Sequence, residues 1–353
     1  MATVNGLILA AECGEEDDLV RRLQGRSRYA MQLVNRGLVR YAAQALSGCG
    51  VQEIAVAVSP ATAEDVRALL GDGSSYGARF HYLHLGQSPT AAEILVAAGS
   101  ELGPHPLLVH AGDAVMTGSL QPALQDFSRT RPEVLLLSEP SHAYPEVALA
   151  GVRTVSTREG AGLDGLDHVA PAAIISPQAL RELDGFDADT ATIGGTVAAL
   201  AESGVKVVGR SLERCWCYSG DKDHLLEGNR MILDEIPHAP VEAELDSVRI
   251  EGRVAIHPQA RLERTTVRGP AVIGGGAELI DTFVGPYSAI GAGARLEGAE
   301  IEHSIVLERA SIRHLGQRIE ASVIGVEADI CRDFGMPSSV RLTVGRGSTV
   351  TLA

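Results

Sequence analysis

Residues 250–301 read IEGRVAIHPQARLERTTVRGPAVIGGGAELIDTFVGPYSAIGAGARLEGAEI, and this stretch decides the fold of the C-terminal third. Aliphatic residues recur at Ile250, Ile256, Leu262, Val267, Ile273, Leu279, Val284, Ile290, Leu296 and Ile301. The steps between them are 6, 6, 5, 6, 6, 5, 6, 6 and 5 residues, so every third step closes a cycle of 17. A helix repeats its apolar face about every 3.6 residues and a half-buried strand about every 2, so neither accounts for the pattern. A chain that turns a corner after each short strand does. One aliphatic per face then points inward, with small residues (Ala260, Gly276, Ala277, Ala294) at the corners. The expectation is a triangular parallel β-helix of hexapeptide type, at least three coils long from about residue 245 onward. Ile250, Val267, Val284 and Ile301 should stack on one inward face.

Upstream the rhythm changes. Apolar runs at 6–11, 54–58, 107–109 and 134–137 alternate with helical stretches at 33–46 and 62–70, which reads as βαβ units on a mostly parallel sheet. Helical periodicity ends at Ile236-Pro237-His238-Ala239-Pro240. A chain of 353 residues exceeds what one core usually spans, so two domains are expected, 1–240 and 241–353.

Composition narrows the partners. The 45 acidic residues outnumber the 30 basic ones, giving a net charge of −15, which argues against a nucleic-acid partner. Apolar stretches are only strand-length, so no membrane span is expected. The start carries no basic leader, and the five cysteines (Cys13, Cys49, Cys215, Cys217, Cys331) are scattered and odd in number; a reducing cytoplasm is the expected location. Flat apolar faces and open coil ends of a β-helix call for covering, so a homo-oligomer is expected.

The order of elements resembles a known family. The segment 6–11, the run 35–54, Ala111-Gly112-Asp113, Trp216-Cys217-Tyr218-Ser219-Gly220, Gly228-Asn229-Arg230 and the β-helix line up in sequence with the sugar-1-phosphate nucleotidyltransferases. The tail, at 302–307, 318–325 and 341–345, is similar to the long actinobacterial glucose-1-phosphate thymidylyltransferase type. The resemblance implies a Rossmann-like α/β nucleotidyltransferase domain followed by a left-handed β-helix. It also implies a nucleoside triphosphate and a sugar or cyclitol 1-phosphate as substrates, with magnesium as cofactor.

Its motifs are altered. The family's phosphate loop, L-A-G-G-x-G-T-R, reads Leu9-Ala10-Ala11-Glu12-Cys13-Gly14-Glu15-Glu16 here. Ala10, Ala11, Glu12 and Gly14 take the nucleotide-binding positions, and Glu16 stands where the arginine would be. A carboxylate about 4 Å from a phosphate charge costs on the order of 4 kcal/mol at an effective dielectric near 20. Arg21 and Arg22 follow as replacement charges if the loop shifts register. The family's phosphate-binding lysine aligns with Arg28, which keeps the charge and changes a point contact to a fork. The base-recognition segment aligns with 85–92, where Gln87 is the glutamine, displaced by two residues, and Thr90 stands for the glycine.

Two aspartates hold magnesium in the family. The first is Asp113, after Gly112 at the carboxyl end of a strand, where α/β ligands sit. At the second position, in the turn after Trp216, stands Tyr218, and a phenol is a poor magnesium ligand. On the sugar side, Tyr144 and Glu146 replace the family's F-G-V turn, and Trp216 and Tyr218 complete the expected substrate contacts. Strand alternation puts Trp216 and Tyr218 on one face and Cys215 and Cys217 on the other, so the cysteines are expected to be buried and inert. Three functions stay open: a diverged but active nucleotidyltransferase using Asp113 and Arg28; an inactive homologue with a binding or assembly role; and a different reaction on the same scaffold.

Overall fold

The run Asn5-Gly6-Leu7-Ile8-Leu9-Ala10 forms the central strand β1 (Asn5–Ala10), buried on both faces as a parallel strand between helix layers must be. The computed structural model describes residues 3–11, 17–87, 89–138, 153–154, 171–183, 193–212, 214–237, 243–332 and 334. After β1 come α1 (Asp18–Gln24), a hairpin of β2 (Gln32–Leu33) and β3 (Arg36–Gly37), α2 (Leu38–Ser47), β4 (Glu53–Val58) and α3 (Ala63–Leu70). Then follow β5 (Arg79–His84), α4 (Ala91–Leu102), β6 (Leu107–Ala111), β7 (Ala114–Met116), α5 (Gln121–Thr130), β8 (Val134–Ser138) and β9 (Arg153–Thr154). The region ends with β10 (Ala172–Ile175), α6 (Pro177–Glu182), α7 (Ile193–Glu202), β11 (Val207–Ser211), β12 (Cys215–Cys217) and α8 (Lys222–Leu233).

Eight strands make one sheet in the order β5-β4-β1-β6-β10-β8-β11-β9. The β5, β4, β1 and β6 strands run parallel, whereas β10 is antiparallel to both β6 and β8 and makes the sheet mixed. Residues of α2, α3 and α5 cover one face, and residues of α4, α6 and α7 the other. The chain leaves β1 toward β4 on one side and returns to β6 on the other, so a crevice opens at the carboxyl ends of β1 and β6.

The helical stretch expected at 33–46 begins only at Leu38, because Val34 and Asn35 adopt left-handed φ values of 51° and 59°. Two such residues in a row close a two-residue hairpin whose twist suits antiparallel strands, and an asparagine favours that conformation. Beyond the hairpin, Leu38, Val39, Ala42, Ala43 and Leu46 form the buried stripe of α2.

From Glu244 onward the chain winds into three parallel sheets of six, five and five strands, a left-handed parallel β-helix. Ile250 pairs in register with Val267, Val267 with Val284, and Val284 with Ile301. Ile273 and Ile290 stack on the second face, and Leu262, Leu279 and Leu296 on the third. Ser247, Arg264 and Asp281, each 17 residues apart, mark one corner with φ of 54°, 47° and 50°. The boundary expected at 240/241 falls on residues 238–242, outside those described.

The β-helix is docked on the α/β region through one apolar cluster. Val20, Met31, Leu33, Leu38, Val115, Trp216, Tyr218, Leu225 and Leu226 pack together with Ile305 and Leu307 of the β-helix. Asn229, wholly buried on α8, fastens the same seam: its Oδ1 accepts from Val34 N at 3.2 Å and its Nδ2 donates to Tyr287 O at 3.2 Å. Gly228 beside it is glycine for want of room, since a Cβ there would lie 2.6 Å from the Trp216 ring.

Candidate functional site

The crevice is built from its floor. Thr62 Oγ1 donates to Ala10 O at 2.6 Å and Tyr29 Oη donates to Ala11 O at 2.8 Å, which pins the end of β1. Gly112 N donates to Leu9 O at 2.8 Å, and a Cβ on Gly112 would sit 2.6 Å from that same oxygen. Only glycine lets the end of β6 come this close to β1, and this contact sets where the next residue, Asp113, projects.

Asp113 and Arg28 face each other across the crevice, with Asp113 Oδ2 3.8 Å from Arg28 Nη1. Their side chains are 22% and 24% exposed, so both are recessed yet reachable from solvent. Burial pushes the Asp113 carboxyl above the usual carboxylate range, and the Arg28 charge opposes this. Arg28 opens a one-turn 3-10 helix, Arg28–Ala30, whose entry is held by Ser27 N donating to Asp65 Oδ2 at 2.7 Å.

Tyr218 follows the β12 strand, which pairs antiparallel with β7, and its N–H donates to Asp113 O at 3.1 Å. The ring is 8% exposed. Burial, then the neighbouring Asp17 carboxylate, drives its phenol well above the ordinary value, so Tyr218 stays neutral; Arg28 and Asp221 lie within electrostatic reach. Asp17 is the N-cap of α1, its Oδ1 accepting from Val20 N at 3.0 Å. Asp17, Arg28, Asp113, Tyr218 and Asp221 therefore converge on one region. Asp17 was legible only as one acid among several; its place before Asp18-Leu19-Val20 is the N-cap signal that singles it out.

The other predicted residues are distributed as follows. Ala10 and Ala11 are buried at 0% and 4% exposure with their carbonyls engaged as above. Gly112 shapes the crevice floor. Trp216 is 4% exposed and donates its indole N–H to His224 O at 3.0 Å, so it seats the turn from within the core. Gln87 is exposed, three residues past the carboxyl end of β5, which is the third strand from β6 in the sheet. Arg21 and Arg22 both pair with Asp18 on α1. Glu12, Cys13, Gly14, Glu16, Tyr144 and Glu146 lie outside the described residues. Cys215 is buried and Cys217 half-buried, while Trp216 and Tyr218 share one cluster with ring centroids 6.1 Å apart. Among the described residues no group of three His, Cys, Asp or Glu side chains could hold a metal ion, and no helix is long and apolar enough to cross a membrane.

No protein-family model matches the chain. It is 26% identical over 340 residues to the glucose-1-phosphate thymidylyltransferase of Streptomyces antibioticus, covering 92% of this chain and 94% of that protein. It is 27% identical over 357 residues to the enzyme of the same name from Streptomyces griseus, with the same coverage of 92% and 94%. A low-salt glycan biosynthesis nucleotidyltransferase of Haloferax volcanii is 26% identical over 348 residues, covering 91% of this chain and 92% of that one. In fold, the chain is similar to a crystal structure from Bacillus anthracis, provisionally titled a glucose-1-phosphate thymidylyltransferase and solved with sucrose. The TM-score is 0.53 at 14% identity, covering 67% of this chain and 98% of that one. With the mixed sheet, the crevice at Asp113 and the β-helix in the same order, the chain resembles the sugar-1-phosphate nucleotidyltransferases over nine-tenths of its length.

Proposed function

We propose that the protein is a diverged sugar-1-phosphate nucleotidyltransferase that takes a nucleoside triphosphate and a sugar or cyclitol 1-phosphate, in a specialised biosynthetic pathway. The observation that carries the reading is the Asp113–Arg28 pair, 3.8 Å apart at the carboxyl end of β6. A recessed guanidinium is suited to a bidentate phosphate contact, and an incoming phosphate would compete with Asp113 for it. Freed of Arg28, the Asp113 carboxylate would face the phosphates, with Gln87 at the far end of a bound nucleotide.

Magnesium belongs to this proposal as an ion carried in on the triphosphate. The described residues do not fit a two-carboxylate protein site, because the position opposite Asp113 holds a buried neutral phenol, Tyr218. No step is derived through the ion. The proposal also divides the chain into an α/β domain, 1–240, and a β-helix domain, 241–353, and expects identical chains to assemble in the cytoplasm.

One observation favours a second reading, an inactive homologue that keeps a binding role: the phenol leaves Asp113 with a single carboxylate at the metal position. Titration calorimetry of the four common ribonucleoside triphosphates and dTTP, each with magnesium, tests both. Micromolar binding of one nucleotide, weakened in Arg28→Met, with pyrophosphate release on adding sugar 1-phosphates that is lost in Asp113→Asn, supports the proposal; the same binding with no release supports the inactive homologue. Binding of none refutes the proposal.

A further inference from the structure

Two of the three segments that carry candidate-site side chains are held by one coil of the β-helix, the third being the end of β6 with Asp113. α1 brings Asp17 at its start, and four residues past its end the chain reaches Arg28. A helix leaves its last carbonyls without intrahelical partners. Here one of them, Leu23 O, accepts the N–H of Val326 at 2.7 Å. The neighbouring Gly325 is what permits the approach, since a Cβ there would meet Leu23 O at 2.9 Å and Leu23 Cα at 3.4 Å. The second segment, the turn of Tyr218 and Asp221 leading into α8, is held by Lys222 Nζ donating to Ala321 O at 2.9 Å. Between these points Ala321, Val323 and Val326 pack against the cluster of Val20, Tyr218, Leu225 and Leu226.

We infer that the β-helix coil spanning residues 319–328 is a positioning element for the candidate site, with Gly325 and Val326 setting the place of α1 and through it the approach of Asp17 and Arg28 to Asp113 and Tyr218. None of its residues need touch a ligand. On the Leu23 side, coil and crevice are linked by a helix of seven residues, Asp18–Gln24, so a displacement at Leu23 is transmitted to both ends of α1. A rigid, closely packed link of this kind carries displacement rather than absorbing it.

The ligand-binding part of this inference rests on the function proposed above, so the test includes readouts that need no ligand. The full-length protein is compared with Gly325→Val, with the milder Gly325→Ala as the variant that folds if valine does not. Gly269→Ala is the control, a substitution at another crowded glycine of the β-helix, where a Cβ would meet Arg253 O at 2.0 Å. Hydrogen exchange of the amides at 21–25 is expected to speed up at least tenfold in the Gly325 variants. Emission of Trp216, the single tryptophan, should shift with it. Neither should change in the control. Where the wild type binds a nucleotide, its affinity should fall at least tenfold in the Gly325 variants alone. Unchanged exchange at 21–25 in a folded Gly325 variant overturns the inference, as does an equal change in Gly269→Ala, which would mean general loosening of the β-helix. A wild type that binds no nucleotide but shows the exchange effect removes the proposed function and leaves the positioning role standing.

Discussion

His110 makes the folded α/β region sensitive to acid, and the size of the effect follows from its surroundings. The residue lies on β6, flanked in register by Ile8 of β1 and Ala172 of β10, with no exposure to solvent. Its Nδ1 donates to Ala111 O at 2.6 Å, and among the described residues Nε2 has no hydrogen-bond partner. Burial disfavours the imidazolium and lowers its pKa from 6.5 to about 4, while the hydrogen bond to Ala111 works the other way. The unfolded chain therefore binds a proton that the folded chain refuses between these values. The stability contribution is fully present above about pH 6.5 and is lost as the pH falls toward 4. A full shift of this size is worth about 3 kcal/mol, of which about 2 kcal/mol disappears between about pH 7 and pH 5. Urea unfolding followed by Trp216 emission at those two pH values, in the wild type and in His110→Leu, isolates the term because other titrating groups are common to both proteins. The wild type should lose about 2 kcal/mol more than the variant. Parallel losses in the two proteins would refute the reasoning.

Three further outcomes are expected. Val284→Asp, at a position with no solvent exposure in the stack of Ile250, Val267 and Ile301, should cost several kcal/mol and melt the β-helix before the sheet, which circular dichroism and hydrogen exchange would resolve by region. Thymidylyl transfer from dTTP to glucose 1-phosphate should be roughly 10⁴-fold or more below an ordinary thymidylyltransferase if, as the motif reading expects, Glu16 and Tyr218 stand in place of a phosphate clamp and a metal anchor; an ordinary rate that vanishes in Asp113→Asn would contradict this. Sedimentation at micromolar concentration should show a dimer or larger assembly of identical chains, and a strict monomer would count against it.

The β-helix was the most legible part of the chain because its geometry is written in side-chain volume at fixed spacing. Each aliphatic of the 17-residue cycle occupies the one kind of place a triangular cross-section offers, so Val267, Val284 and Ile301 could be put on one face before any coordinates. The later coils close in 16 and 18 residues rather than 17, as at Leu296, Ile312 and Ile330, and there the regular count loses phase. In the α/β region, burial patterns gave β1, β4, β6 and β8. They did not give the direction of β10, whose Ala172-Ala173-Ile174-Ile175 would read the same in a parallel or an antiparallel place. The late start of α2 was hidden because Val34 is an improbable left-handed residue, held there by the long-range hydrogen bond its N–H donates to Asn229.

The site was less legible for a reason that lies in how substitutions couple. Read one position at a time, Tyr218 is a lost metal anchor and Asp17 one more acid in a loop already too acidic for phosphate. In three dimensions they are neighbours, and the charge of Asp17 is among the causes that keep the phenol protonated. A carboxylate at 218 would stand beside Asp17, with Asp113 and Asp221 also close, and two like charges about 4 Å apart repel by on the order of 4 kcal/mol at an effective dielectric near 20. A phenol held neutral by burial carries no such penalty, and its ring adds to the cluster that seats the β-helix on α1. Tyr218 and Asp17 therefore share one electrostatic environment, in which a neutral ring at 218 suits the carboxylates around it.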